Sequence, residues 1–313
     1  MQKRISIINF KGGVGKTTIA YHLAAGLSRY HSCKVLLIDI DHQSSLSIVC
    51  LKGREWKNAV TSKKTTNQIF RHFTKTDENL PGQEIIISSP KNRYPELDIV
   101  SSTLELDETE IDLTSTTIGN AIESEWNKRT LLCKWIDENG IEDEYDYIIF
   151  DCPPATKIVT QNAIAASHGY IIPTIPEAVS VRGIPHLINS VMSKIDKKFS
   201  ELASFLESKG ETISNTYIPS TKLVGIVIAR IKVSGRAYSG YTTDQTTHLN
   251  SLERTFGNDL IKPYIVDGVG VGECLSQGDP VFDHPRIQNV KNRNFVHLFK
   301  QLVSNLKVRI NNL

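Results

Sequence analysis

Cysteine is the first thing this chain has little of. Five occur in 313 residues, at Cys33, Cys50, Cys133, Cys152 and Cys274, scattered, odd in number and without a C-x-x-C pair. That pattern excludes a disulfide framework and a thiolate zinc site, and leaves all five as small buried hydrophobes. No apolar run approaches the ~20 residues of a membrane span. The first apolar run begins at Ile5, too early for a signal peptide, so the chain is expected in the cytoplasm. Internal repeats and low-complexity linkers are also lacking. With 40% hydrophobic and 22% charged residues, the composition is that of a globular protein long enough to bury a sizeable core. A single domain over residues 1–313 is the expectation.

Net charge is small, +2, but unevenly spread. Residues 1–83 hold 13 basic and 5 acidic side chains, whereas 84–146 hold 5 and 16. From His284 onward there are six basic residues, Arg286, Lys291, Arg293, Lys300, Lys307 and Arg309, and no acid. A basic end of this kind is either a solvated face or a surface for anionic polymers or lipids.

What is present is concentrated near the start. Ile5-Ser6-Ile7-Ile8 reads as a strand, and Ile19, Ala20, Leu23, Ala24 and Leu27 line one face of a following helix. Between them lies Asn9-Phe10-Lys11-Gly12-Gly13-Val14-Gly15-Lys16-Thr17-Thr18. Strand, glycine-rich turn and helix N-terminus are what a phosphate-binding loop needs. The glycines let several N–H groups converge on one anion, and the helix adds its positive end. Lys16 is spaced to reach the β- and γ-phosphates, and the Thr17 hydroxyl to meet Mg²⁺. Residues Lys11 to Thr18 are therefore the nucleotide-binding candidates: Lys11, Gly12, Gly13, Val14, Gly15, Lys16, Thr17 and Thr18.

Further apolar runs end in acids. Lys34 to Asp41 is one, closing on Asp39 and Asp41, and Tyr145 to Asp151 is another, followed by Cys152-Pro153-Pro154. Continuous apolar runs mark strands buried on both faces of a parallel sheet, whose ligands bind beyond the carboxyl ends. Asp98-Ile99-Val100, Tyr170-Ile171-Ile172 and Leu223 to Ile228 supply three more strands. Residues 52–83 read as a short helix with loops, the acidic cluster 105–112 as a solvated helix face, and a long helical stretch runs to residue 208. Helical 242–256 and a final helix from Phe295 follow. The stripe Phe295, Phe299, Leu302, Leu306 and Ile310 on that final helix is expected to pack on the sheet. The fold class is α/β, a doubly wound, mostly parallel sheet with helices on both faces.

The loop has Phe10 where the usual pattern has glycine, and a second lysine, Lys11. In this the run Lys-Gly-Gly-Val-Gly-Lys-Thr-Thr resembles the deviant Walker A of the ParA/MinD family of dimerising ATPases. Asp41-His42-Gln43-Ser44-Ser45 resembles that family's switch I, and Asp146 to Pro154 its Walker B. The segment from Pro173 to Gly183 is similar as well. The resemblance implies an ATPase using ATP and Mg²⁺, with two nucleotides sandwiched in a homodimer and Lys11 of one subunit reaching the phosphates of the other. It implies Lys11, Lys16 and Asp41 as catalytic groups, Asp41 positioning the attacking water, with Thr17, Asp39 and Asp151 serving the metal. It implies, further, a ParA-type role: nonspecific DNA binding on the nucleoid as the ATP dimer, release by a ParB-like or adaptor partner, and a plasmid, chromosome or other cargo. A MinD-type membrane-associated ATPase and a metabolic or metal-carrier ATPase are the alternatives. The cysteine pattern disfavours an iron–sulfur carrier. Relatives often carry Ile-Pro-Arg where this chain has Ile265-Val266-Asp267, so the DNA contacts are assigned instead to Lys291, Lys300 and Lys307, with Arg182 and Arg236 as helpers.

Overall fold

The computed structural model describes residues 2–234, 240–283 and 295–313. Arg236 and Lys291, two of the DNA candidates, lie outside the described residues, as do Arg286 and Arg293.

In chain order the elements begin β1 (Lys3–Ile7), α1 (Lys16–His31), β2 (Val35–Asp39), α2 (Ser45–Thr61), α3 (Asn67–Thr74), β3 (Leu97–Val100) and α4 (Leu106–Ser115). Next come α5 (Ala121–Asn127), α6 (Leu131–Glu138), α7 (Ile141–Glu144), β4 (Tyr147–Asp151), α8 (Ile158–Ala165), β5 (Gly169–Thr174), α9 (Ala178–His186) and α10 (Ser193–Ser208). The remainder is β6 (Lys222–Ile228), the two short strands β7 (Val233–Ser234) and β8 (Gly240–Tyr241), α11 (Thr243–Phe256), β9 (Leu260–Ile261), α12 (Val269–Ser276) and α13 (Phe295–Asn311).

Seven strands form one sheet in the order β3-β2-β4-β1-β5-β6-β9, and every pairing in it is parallel. Strand alternation divides the core. Ile5, Ile7, Val35, Leu37 and Ile149 face α1, α2 and α13. Leu36, Ile38, Ile148, Phe150 and Ile172 face the opposite layer, which includes α3, α4, α6, α8 and α10. Buried on both sides, the central strands are mostly apolar, and β2 (Val-Leu-Leu-Ile-Asp) is buried throughout, its one polar residue at the end that faces the cleft.

The chain leaves β1 for β2 on one side and returns from β4 to β5 on the other, so the strand order reverses where β1 and β4 meet. The crevice at that switch point is where an open α/β sheet binds its ligand. Both the glycine loop and Asp151 emerge there, since Ile7 pairs with Asp151 and Asp151 in turn with Asp39.

Three local features differ from the sequence reading. Residues 52–61 continue α2 through a kink at Lys52 (φ 60°, ψ 162°), because Leu46, Cys50, Leu51 and Ala59 keep it anchored. The stretch from 178 to 208 is helical but widens to a π-type turn over Leu187–Met192, just after Pro185, whose ring carries no N–H to donate. The acidic cluster is only partly solvated. Glu110 is buried, and its carboxylate accepts from the Val159 N–H at 3.0 Å, capping α8.

Candidate functional site

The glycine loop owes its shape to two residues with left-handed backbones, Gly13 (φ 73°) and Gly15 (φ 94°). A side chain at Gly15 would be strained there and would also place its Cβ 3.0 Å from Cβ of Ala229. Val14 is buried between them, while Gly12 and Gly13 face open space. The loop delivers Lys16 as the first helical residue, 7% exposed, with Nζ 3.4 Å from the Lys11 carbonyl. Burial lowers the Lys16 pKa, opposed by the nearby carboxylates of Asp151 and Asp41. Lys16, Thr17 and Thr18 line a cleft of about 1080 Å³ together with Asp41, Pro154, Arg230 and Asp267.

Two buried carboxyl groups stand side by side behind that cleft. Asp39 is fully buried and fully engaged. Its Oδ2 accepts from the Ser47 amide (2.8 Å) and hydroxyl (2.6 Å), its Oδ1 from the Asp41 amide (3.1 Å). It brackets the loop between β2 and α2. Burial pushes its pKa up to about 7 against those hydrogen bonds. Asp151 is equally buried, yet neither carboxylate oxygen has a hydrogen-bond partner of good geometry. The Thr17 hydroxyl is close enough to favour the charged form, but burial and neighbouring Asp39 push the pKa well above the carboxylate range. An orphaned buried carboxylate at a phosphate loop is what a cation would complete, and oxygen donors from Asp151 and Thr17 are hard ligands that suit Mg²⁺.

Asp41 sits at the cleft wall with its side chain 14% exposed, and its Oδ1 accepts from the Gln43 amide at 3.0 Å. The turn it opens carries strain, for Ser44 is a buried non-glycine residue at φ 54°. Lys11 points away from its own loop and is ion-paired with Glu177 at the start of α9. The loop entry is held by Asn9, whose side chain accepts from the Lys11 amide (3.0 Å) and donates to the Pro173 carbonyl (2.8 Å).

One side chain at the site escaped the sequence reading. Arg230, after β6, donates to the Gly13 carbonyl at 3.1 Å and pairs with Asp267 at 3.2 Å. Arg230 is one of three basic residues in the run 229–236, and nothing in their spacing singles it out.

Of the described DNA candidates, Lys300 and Lys307 share one end of the molecule and Arg182 lies at the other. Arg182 is exposed on α9, at the cleft end of the strands. Lys300 lies over the Tyr30 ring at 4.6 Å, and Lys307 lines a groove with Lys3, His31, Asp146 and Tyr147, at the opposite end. The whole apolar stripe of α13 is buried beside α1, so that helix has no apolar face left for a membrane. Among the described residues no helix is long and apolar enough to cross one.

Fold and loop together define a class, the P-loop nucleoside-triphosphatase fold. A family model described as "AAA domain" matches residues 2–204. The chain is 32% identical over 191 residues to the sporulation initiation inhibitor protein Soj of Bacillus subtilis, covering 61% of this chain and 65% of Soj. It is 26% identical over 281 residues to a ParA family protein of Chlamydia muridarum, covering 90% and 89%. Its fold is similar to that of apo McdA from Cyanothece, with TM-score 0.65, 19% identity and 98% and 100% of the two chains covered. The chain spans less than two thirds of the length of the first curated relatives it matches, 63% for two uncharacterised Mycobacterium tuberculosis proteins and 65% for Soj. The chain belongs to the AAA-domain family and to the ParA family.

Proposed function

We propose that this protein is a dimerising, Mg²⁺-dependent ATPase of the partition type, positioning DNA or another cargo. The observation that carries the reading is Asp151, a buried carboxylate with two unpartnered oxygens beside a phosphate loop whose lysine is buried too. Two structures of similar fold support the ligand: McdA was solved as an ATP complex, and a cobyrinic acid a,c-diamide synthase with ADP and magnesium.

In this reading the amides of residues 12–16 and the Lys16 ammonium hold the β- and γ-phosphates, and Asp41 orients the attacking water. Asp151 and Thr17 hold Mg²⁺, which when bound neutralises charge on those phosphates. Asp39 acts one step back, fixing the loop that carries Asp41. Lys11 must leave Glu177 to reach a partner subunit. Both side chains are more than a third exposed, so the pair is worth only ~0–1 kcal/mol and gives way readily to a phosphate. Hydrolysis is then tied to assembly, and a ParB-like or adaptor partner would act on the assembled state. The basic end of α13, away from the cleft, stays open to nonspecific DNA after the cleft edges close on each other.

One experiment tests the reading. In ATP and Mg²⁺ the wild type should bind two unrelated duplexes alike, and lose them steeply with salt as counterions are released. Asp41→Ala should hydrolyse ATP ~100-fold more slowly and remain on the DNA. Lys300→Glu/Lys307→Glu should bind it weakly. Binding to anionic liposomes with no binding to DNA at low salt would replace the partition reading by the membrane one.

A further inference from the structure

A phosphate loop works only if its N–H groups face the anion, which leaves its carbonyls to be met by water or by protein donors. Gly13, at φ 73°, is the residue where this backbone reverses, and the donor to its carbonyl is the Arg230 guanidinium at 3.1 Å. The same guanidinium holds Asp267 Oδ1 through Nε at 3.2 Å. Asp267 is itself tied to the Arg230 loop. Its amide donates to the Ile231 carbonyl (2.8 Å), and the Ile231 amide donates to the Ile265 carbonyl (2.9 Å). Next to Arg230, Ala229 is the residue that a side chain at Gly15 would strike. The tripeptide 229–231 thus bears on the phosphate loop at both of its left-handed glycines, and is braced from behind by 265–267.

We propose that Arg230 is a positioning residue of the phosphate loop, anchoring the Gly13 carbonyl to the cleft wall so that the loop is preformed for a polyphosphate. The proposal rests on the nucleotide reading above and adds to it a residue outside the Walker elements. A bare surface ion pair between Arg230 and Asp267 would contribute little, since both side chains are a third or more exposed. What gives Arg230 its effect is the charge-assisted bond to a loop carbonyl, made by a planar fork that can serve carbonyl and carboxylate together. A lysine at this position has its three donors on one nitrogen and lacks the planar fork that spaces one donor for the carbonyl and another for the carboxylate.

The test is calorimetric binding of ATP with Mg²⁺, and of inorganic tripolyphosphate, to wild type, Arg230→Ala and Arg230→Lys. Arg230→Ala should weaken both ligands by a similar factor, about tenfold, while the melting temperature of the nucleotide-free protein stays unchanged; Arg230→Lys should recover part of the loss. In turnover the loss should appear in KM and leave kcat within about twofold. Wild-type affinity in Arg230→Ala would overturn the proposal. So would a loss confined to ATP, which would mean that Arg230 reads the nucleoside and not the loop. Failure of the wild type to bind either ligand would remove the nucleotide reading itself, and Arg230's role with it.

Discussion

In the proposed reading, Asp151 is a cation-binding group whose burial costs the metal-free fold stability. Burial beside Asp39 raises its pKa in the folded chain above the ~3.9 of an exposed aspartate. Folding therefore favours the protonated form. The stability this group contributes is fullest below the unfolded pKa and is lost as pH rises toward the folded one. Asp151→Asn removes that loss. In metal-free protein it should stabilise by roughly 1–3 kcal/mol at pH 8 and by less at pH 5, seen as a rise in melting temperature, while abolishing Mg²⁺-dependent nucleotide binding. A variant less stable than wild type at both pH values would mean that Asp151 holds the fold together and is not waiting for a cation. Legibility at this scale was uneven. Lys16, Thr17, Asp41 and Asp151 were picked out because spacing after a strand is a local property. The Lys11–Glu177 pair and the Arg230 contact join residues 166 and 217 positions apart, which no local pattern reports.

Among the elements, α1 and α13 are packed so closely that a glycine is required between them. A Cβ at Gly26 would come within 2.7 and 2.9 Å of the two Val303 methyls. Valine in a helix has essentially one rotamer and cannot turn aside. Gly26→Ala would gain ~1 kcal/mol of helix propensity but lose ~1–3 kcal/mol to overpacking, so the packing term wins. Urea unfolding should show a lower midpoint for Gly26→Ala and recovery in Gly26→Ala/Val303→Ala; a midpoint raised by the single change would contradict this packing. The stripe on α13 was legible from its period, as was the sheet from its runs of apolar residues. The burial of Glu110 was not. Asp107, Glu108 and Asp112 around it are exposed, and only tertiary packing brings the open N-terminus of α8 over it. The continuation of α2 past Lys52 was hidden for a similar reason, because Gly53 and five charged residues between 52 and 63 look like a loop until Leu46, Cys50, Leu51 and Ala59 are seen anchoring the helix.

On the scale of the whole molecule, strand order separates the phosphate-loop cleft from the basic residues of α13. The reversal at β1 and β4 gathers the phosphate loop, Asp39, Asp41 and Asp151 at one edge of the sheet, while α13 carries Lys300 and Lys307 toward the other. A dimer closing over the first edge would leave the second outward on both subunits. In the proposed mechanism the closure depends on Lys11, which is paired with Glu177 inside its own subunit, whereas nucleotide is held by Lys16, buried at the start of α1. Sedimentation velocity in ATP and Mg²⁺, with bound nucleotide quantified, separates the two lysines directly. Wild type should sediment as a dimer, Lys16→Ala as a monomer without nucleotide, and Lys11→Ala as a monomer that still carries ATP. A Lys11→Ala protein that dimerises and hydrolyses ATP like the wild type would contradict the trans-acting lysine and the dimeric mechanism built on it.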